Sequence, residues 1–210
     1  MIQRLAFLFL SLVLLAACQQ PFSTPLNHSA PVQNEQTMQV IKGEQLIDGQ
    51  SFPDGRLWLL DLATGEKQML TRNSDFGRHF FAVAGVLAHD LAYGLINQNN
   101  HAYQLYALPL DGSKARFLTD AKSLGLSEII PESLTLSPDG STLAFSAYKE
   151  EGLESSHYGE NFVWRQGVYT LDLSAPESSL KAITEQDPYE RPKVYKPYFD
   201  SGGNLHLTTS

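Results

Sequence analysis

The chain has 210 residues, a formal net charge of −8 and 42% hydrophobic residues. This length and apolar content suffice for one globular domain with a substantial core. The acidic charge excludes a protein that binds nucleic acid through a strongly basic surface. A single cysteine excludes a disulfide within the chain, so packing must stabilise the domain.

The N-terminal residues predict an export signal. Arg4 precedes an apolar run over residues 5–15, which is shorter than the ~20 residues that span a bilayer. This arrangement is typical of a secretory signal peptide over residues 1–17. The sequence Leu-Ala-Ala-Cys at residues 15–18 resembles the lipobox of bacterial lipoproteins. The resemblance implies that Cys18 is lipidated, becomes the mature N-terminus and holds the protein on a membrane of the bacterial cell envelope.

The residues after Cys18 bear on the destination of the protein. Residue 19 is Gln, and by resemblance to Gram-negative sorting rules a residue other than Asp implies the outer membrane, facing the periplasm, if the source is Gram-negative. An ordinary signal peptide cut after Ala17 is the alternative. Residues 18–37 are rich in Pro, Ser, Gln and Asn, which predicts a disordered tether before a domain over residues 38–210.

That domain is predicted to contain short strands and polar turns. Weak strands are predicted in residues 38–47, and Pro53-Asp54-Gly55 predicts a turn. Asp-Gly, Asn-rich and Gly-Gly turns between the strands are typical of antiparallel hairpins. The other predicted strands cover residues 57–62, 67–71, 80–87, 91–96, 103–110, 116–119, 133–136, 142–146, 167–173, 180–184, 194–199 and 205–208.

One pair of strands recurs three times. Each copy has an apolar strand, a polar turn and a second strand that ends in Thr71, Thr119 or Thr184. A repeating unit of about 40–50 residues built from short strands is typical of a β-propeller blade.

An aspartate recurs near the turn of each copy. These residues, Asp61, Asp111 and Asp172, lack the surrounding pattern of a calcium-binding loop. They are therefore predicted to cap turns.

The segment over residues 136–146 carries the most specific motif, Leu-Ser-Pro-Asp-Gly-Ser-Thr-Leu-Ala-Phe-Ser. Pro138 fixes φ and Gly140 supplies a positive φ, which predicts a tight turn. Leu143 and Phe145 alternate in the strand and are predicted to pack between blades. The segment resembles the blade signature of TolB-type propellers. The resemblance implies an all-β fold of β-propeller-like repeats, each a four-stranded antiparallel blade; a generic β-sandwich is the alternative.

The number of blades is low. About three are recognisable, with two complete blades between two partial ones, whereas propellers have about four to eight blades. Three interpretations stay open. The chain is incomplete, or a homodimer completes one ring, or the fold is an open arc with further strands.

Two segments are predicted to bind a partner. The interval from Thr119 to Thr184 is longer than that from Thr71 to Thr119, and residues 148–166 account for most of the excess. A long loop with aromatic and arginine side chains favours partner binding, although a solvated insertion would have the same length. A stiff charged loop over residues 187–192 is the second candidate, with a plain connector as its alternative. The candidate residues are Tyr158, Phe162, Trp164, Arg165, Tyr189 and Arg191.

No catalytic residue, metal site or cofactor is predicted. The sequence contains no G-x-S-x-G nucleophile motif, and its histidines lack metal-binding spacing. The predicted function is a lipid-anchored, non-enzymatic binding or scaffold module for a protein or glycan partner. The alternative is a fragment of a larger propeller protein, such as a prolyl-oligopeptidase-like hydrolase without its catalytic domain.

Overall fold

The computed structural model describes residues 37–48, 50–98, 103–156, 159–186 and 195–209. These residues form short strands with two brief helical turns, α1 (Asn73–Phe76) and a 3₁₀ helix (Pro131–Ser133). The strands are β1 (Met38–Ile47), β2 (Gln50–Asp61), β3 (Lys67–Met69), β4 (Phe80–Leu87), β5 (Leu91–Gln98), β6 (Gln104–Pro109), β7 (Arg116–Asp120), β8 (Glu128–Ile129), β9 (Thr135–Leu136), β10 (Thr142–Ser156), β11 (Gly159–Asp172), β12 (Lys181–Glu185), β13 (Tyr195–Phe199) and β14 (Leu205–Thr209).

The strands form four antiparallel sheets that follow one another along the chain. Sheet A has the order β1-β2-β3 and sheet B the order β4-β5-β6-β7. Sheet C has the order β12-β11-β10-β8, with β9 also paired to β10, and sheet D is the hairpin β13-β14. Sheets B and C are the two complete blades that the repeat predicts. The fold is therefore all-β and propeller-like, with partial blades at both ends of the described chain.

Sheet B is buried on both faces. Tyr93 and Leu95 of β5 pack toward sheet C, in a core that includes Phe145. Ala92 and Ile96 of the same strand pack toward sheet A. Because neighbouring side chains of a strand point to opposite faces, this double burial explains why β5 is almost continuously apolar.

The turn aspartates have the role that the repeat predicts. Asp61, Asp111 and Asp172 each accept a hydrogen bond through Oδ1 from the backbone N–H two residues later, at 2.8 Å in all three turns. These bonds lower the pKa of the Asp61 and Asp111 carboxyl groups, and the pKa of Asp172 is lowered first by the hydroxyl of Ser174 and then by its backbone N–H. Each aspartate thus closes the hairpin that leads into the last strand of its sheet, β3, β7 or β12.

The turn before β10 follows its motif. Gly140 has a φ of 73°, and its N–H donates to the carbonyl of Ser137 at 2.8 Å. Asp139 accepts hydrogen bonds from the hydroxyl groups of Ser137 and Ser141 and from the backbone N–H of Ser141. Leu143 and Phe145 then enter the core between sheets B and C, which confirms the prediction of inter-blade packing.

The predicted turn at Pro53-Asp54-Gly55 is wrong. These residues lie inside β2, where the register shifts between Lys42, paired with Leu57, and Glu44, paired with Pro53. The extra residues on β2 form a bulge whose Gly55 has a φ of 71°. Several turn types and the G1 bulge use a glycine with a positive φ, so the same residues can serve either structure.

The bulge holds a polar contact against β1. The carboxylate of Asp54 accepts from the backbone N–H of Arg56 at 2.8 Å and from Nε1 of Trp58 at 3.1 Å. Gly43 of β1 is buried beside them, and a Cβ there would overlap the Asp54 carboxylate and the Trp58 indole. The glycine therefore allows the two strands to stay close across the bulge.

Sheet D packs on sheet C through one face. Pro197 of β13 is buried, and the hydroxyl of Ser146 in β10 donates to the carbonyl of Tyr195 at 2.6 Å. The other face is open: Tyr198 is 45% exposed and stacks on His206. The His206 ring lies 2.9 Å from the Asp200 carboxylate and, with the turn amides, lowers the pKa of Asp200.

The hydrogen bonds of Asp139 predict an acid-dependent loss of stability. They lower its pKa from the ordinary value of an aspartate to about 2. A carboxyl group whose pKa is lower in the folded state stabilises the fold above about pH 4 and loses that contribution as the pH falls toward 2. Asp139→Asn should therefore be less stable than the parent chain at neutral pH, and the difference should shrink between about pH 4 and pH 2. Urea unfolding over this range measures it, and a difference that stays constant would contradict the assignment.

Candidate functional site

A cavity opens where residues of sheets A and B and the segment before β9 of sheet C come together. Its volume is about 260 Å³. Sheet A contributes Val40 and Lys42 of β1, and sheet B contributes Ala84 and Gly85 of β4. The 3₁₀ helix and the residues after it add Glu132 and Leu134. The lining therefore combines apolar side chains with exposed polar atoms and two groups of opposite charge, a combination found in ligand-binding pockets.

A bulge lies beside the cavity in each of sheets A and B. In sheet A the register shifts directly after Lys42 of β1, and the extra residues belong to β2. In β4 it shifts between Ala82 and Ala84, so Val83 has no cross-strand partner. A bulge bends its strand and redirects the neighbouring side chains, and bulges are frequent beside functional sites.

Gly85 of β4 lies close to side chains of sheet A. A Cβ added to Gly85 would lie 2.8 Å from Cγ1 of Val40 and 3.0 Å from Cδ1 of Leu57. Both distances are shorter than side chains tolerate, so sheets A and B can approach this closely only because residue 85 has no side chain.

The third wall is fixed to sheet C by a buried serine. The hydroxyl of Ser133 donates to the carbonyl of Ile130 at 2.6 Å and accepts from the backbone N–H of Ser146 at 2.7 Å. Pro131 begins the 3₁₀ helix, where the N–H it lacks would have no intrahelical partner. Glu132 is therefore held at the cavity by hydrogen bonds that do not involve its own carboxylate.

The lining of the cavity includes one basic and one acidic side chain. Lys42 and Glu132 are both exposed, although each lines the cavity. Glu132 also acts on Tyr103, whose phenol pKa is raised by burial, by Glu128 and by Glu132. Lys42 forms no ion pair with the part of the chain that the structure describes. An anionic group of a ligand could therefore pair with this ammonium.

The segment over residues 148–166 is not the predicted loop. β10 and β11 continue as a two-stranded hairpin, in which Lys149 pairs with Arg165 and Leu153 with Phe162. Sheet C ends earlier, because β8 reaches only Tyr148 and β12 reaches only Gly167. The hairpin beyond this point, residues 149–165, is called the arm below.

The predicted partner-binding residues are only partly placed. The backbone of Phe162 and Trp164 lies in β11, with Trp164 paired to Glu150. Arg165 is half-buried at the base of the arm. Tyr158, Tyr189 and Arg191 lie outside the described residues, as does lipidation at Cys18. Their roles stay predictions.

The cavity residues were not predicted from the sequence. Lys42, Val83 and Glu132 are far apart in the chain and belong to no motif. The weak strand pattern around residues 38–47 was the only local sign of irregular structure.

No group of three or more His, Cys, Asp or Glu side chains in the described residues is arranged to hold a metal ion. No helix within those residues has the length and apolar character to cross a membrane.

Comparison with known proteins gives structural likeness alone. No protein-family model matches the chain, and no curated protein matches it. Among solved structures, the fold resembles a TolB-like protein from Agrobacterium tumefaciens (TM-score 0.44, 13% identity, 70% of this chain and 45% of that one) and TolB from Acinetobacter baumannii (TM-score 0.45, 16% identity, 70% and 30%).

A third structure comes from a study of two prolyl endopeptidases. It has a TM-score of 0.50 and 10% identity, and the match covers 82% of this chain and 26% of that one. The chain therefore spans less than half the length of each of these three proteins. At such identities the likeness concerns the fold, which agrees with the propeller-like sheets described above.

The arm should be dispensable for folding. Beyond Tyr148 and Gln166 its described residues pair only with each other, and a lone two-stranded hairpin contributes little stability. Replacing residues 150–164 by Asn-Gly, which joins two cross-strand partners by a tight turn, should change the free energy of unfolding by less than about 1 kcal/mol. Urea unfolding followed by the fluorescence of Trp58 measures this. A loss of several kcal/mol would show that the arm packs on the core.

Proposed function

We propose that the chain is a lipid-anchored, non-enzymatic binding module of the bacterial cell envelope, which holds a protein or glycan partner at the inner surface of its propeller-like arc. The cavity between sheets A, B and C carries this proposal. Its lining combines apolar side chains with two opposite charges, and it lies beside the bulges of β2 and β4. A pocket of this kind favours ligand recognition. The arm, with the predicted binding residues Tyr158 and Trp164, supplies a second contact.

The lipid anchor is proposed from the sequence alone. The Leu-Ala-Ala-Cys segment supports lipidation of Cys18, and Gln19 supports the outer membrane, facing the periplasm, in a Gram-negative source. A single acyl chain binds membranes weakly, so stable anchoring needs more than one.

Substitution of the cysteine tests this anchor. Cys18→Ser should move the protein from the membrane fraction to the soluble fraction, because no thiol is left to carry the lipid. Gln20→Ser, two residues further on, should leave the protein in the membrane fraction. Mass spectrometry of the mature N-terminus identifies the modification directly. An unmodified Cys18 in the mature chain, or membrane association that persists in Cys18→Ser, would contradict lipid anchoring.

Filling the cavity tests the binding site. With a photo-reactive amino acid at Leu134, a bound partner should crosslink to the cavity in intact cells. Ala84→Phe should lower the yield of that product several-fold, because the ring occupies the cavity. Ala175→Phe places the same ring on an exposed turn of sheet C and should leave the yield unchanged.

The crosslinked product also identifies the partner class. Digestion by protease or by glycosidase distinguishes a protein from a glycan. Equal yields from Ala84→Phe and Ala175→Phe, with both variants folded by circular dichroism, would refute the cavity as the binding site.

The alternative is that the chain is part of a larger propeller hydrolase. The likeness to a prolyl endopeptidase concerns the fold and does not favour that activity over binding. Sequencing the gene beyond the codon for Ser210 tests it, because further Ser-Pro-Asp-Gly repeats and a G-x-S-x-G motif would be expected there.

A further inference from the structure

Sheet B begins with β4, here called its inner strand, and the described part of sheet A has no strand that corresponds to it. β2 and β3 correspond to β6 and β7, because each pair is joined by an aspartate turn with the same hydrogen bond, from Ala63 to Asp61 in sheet A and from Ser113 to Asp111 in sheet B. β1 then corresponds to β5, which in sheet B is followed on its inner side by β4. In the described chain β1 is the inner edge strand of sheet A.

The cavity lies along this edge. Three successive residues of β1, at positions 40–42, line it, and so do three successive residues of β4, at positions 83–85. Adjacent side chains of a strand point to opposite faces, so three in a row can border one space only where the strand also presents its edge. An edge strand offers a row of peptide N–H and C=O groups to any further strand.

The residues just before β1 are poorly suited to fill that place. A strand that joins β1 by a tight hairpin would be drawn from the tether, which contains Pro21, Pro25 and Pro31. Proline has no N–H to donate to β1, so even in an edge strand it fits only where its nitrogen faces away from the neighbouring strand. This composition favours a strand from another molecule.

We propose that the inner edge of β1 binds an extended segment of a partner protein as an additional strand. The backbone of the segment pairs with β1, and its alternate apolar side chains enter the cavity beside Val40 and Ala84. An acidic side chain pairs with Lys42, which has no ion-pair partner among the described residues. The added strand completes sheet A to four strands, as in sheet B. This inference rests on the proposed function, since it specifies the partner class and how the cavity holds it.

A peptide probe tests the strand addition. The probe is a fluorescein-labelled octapeptide of alternating Glu and Val, added to the full-length chain in detergent micelles. It should bind saturably and slow hydrogen exchange of the β1 amides, with no change at the β7 edge of sheet B. A probe with one central proline should bind at least about tenfold more weakly, because it loses a backbone donor and its extended shape.

Charge variants test the role of Lys42. Lys42→Glu should weaken binding of the Glu-Val peptide about fivefold or more and should favour a Lys-Val peptide instead. Lys67→Glu carries the same change on β3, at the opposite edge of sheet A, and should leave both affinities within about twofold.

Several results would overturn the proposal. These are equal binding of the proline-containing probe, protection at an edge other than β1, or no binding of the Glu-Val peptide at millimolar concentration. Slow exchange of β1 in a peptide-free dimer would instead assign the edge to a second copy of the chain. If cavity filling lowers crosslinking in cells while the peptide does not bind, strand addition fails and the proposed function stands. If cavity filling has no effect on crosslinking, the proposed function fails.

Discussion

Face-to-face packing of successive sheets is the constraint on which this fold depends. Leu57 is completely buried, and a Cβ on Gly94 would lie 2.9 Å from its Cδ1 atom, as a Cβ on Gly85 would at 3.0 Å. Burying a leucine side chain contributes about 1.5–3 kcal/mol, but only if sheet B can approach sheet A this closely. The two glycines allow that approach. The N–H of Leu57 also donates to the hydroxyl of Thr71, which links β2 to the segment that directly follows β3.

The same constraint explains where the molecule is open. Sheets B and C each have neighbours on both faces, so their central strands are buried; those of sheet B are apolar on both sides, whereas sheet C presents the buried Ser146 toward sheet D. Sheet A has a described neighbour on one side only, and its inner strand β1 has a free edge. The proposed binding site beside β1 lies at this edge, where apolar side chains and a strand edge occur together.

The conformation of short turns could be predicted from the sequence, whereas contacts between distant segments could not. The aspartate turns and the positive φ of Gly140 depend on residues within a few positions of each other, and each was predicted. Pro53-Asp54-Gly55 has the same composition as a turn, but pairing with β1 makes it a bulge. Residues 148–166 lack clear alternation, so their pairing into an arm left no periodic signal. The cavity joins residues 40–42, 83–85 and 131–134, a convergence that one sequence does not reveal.

The lowered carboxyl pKa values of the described residues have a structural explanation. Carboxyl groups with lowered pKa values are often candidates for functional sites. Here Asp61, Asp111, Asp139, Asp172 and Asp200 all lie in hairpin turns, and hydrogen bonds to turn amides, hydroxyls and one histidine account for the lowered pKa of each. These groups close the turns that hold the strands in register. The cavity itself offers apolar contact, a strand edge and two opposite charges, which are the means by which an extended chain is recognised.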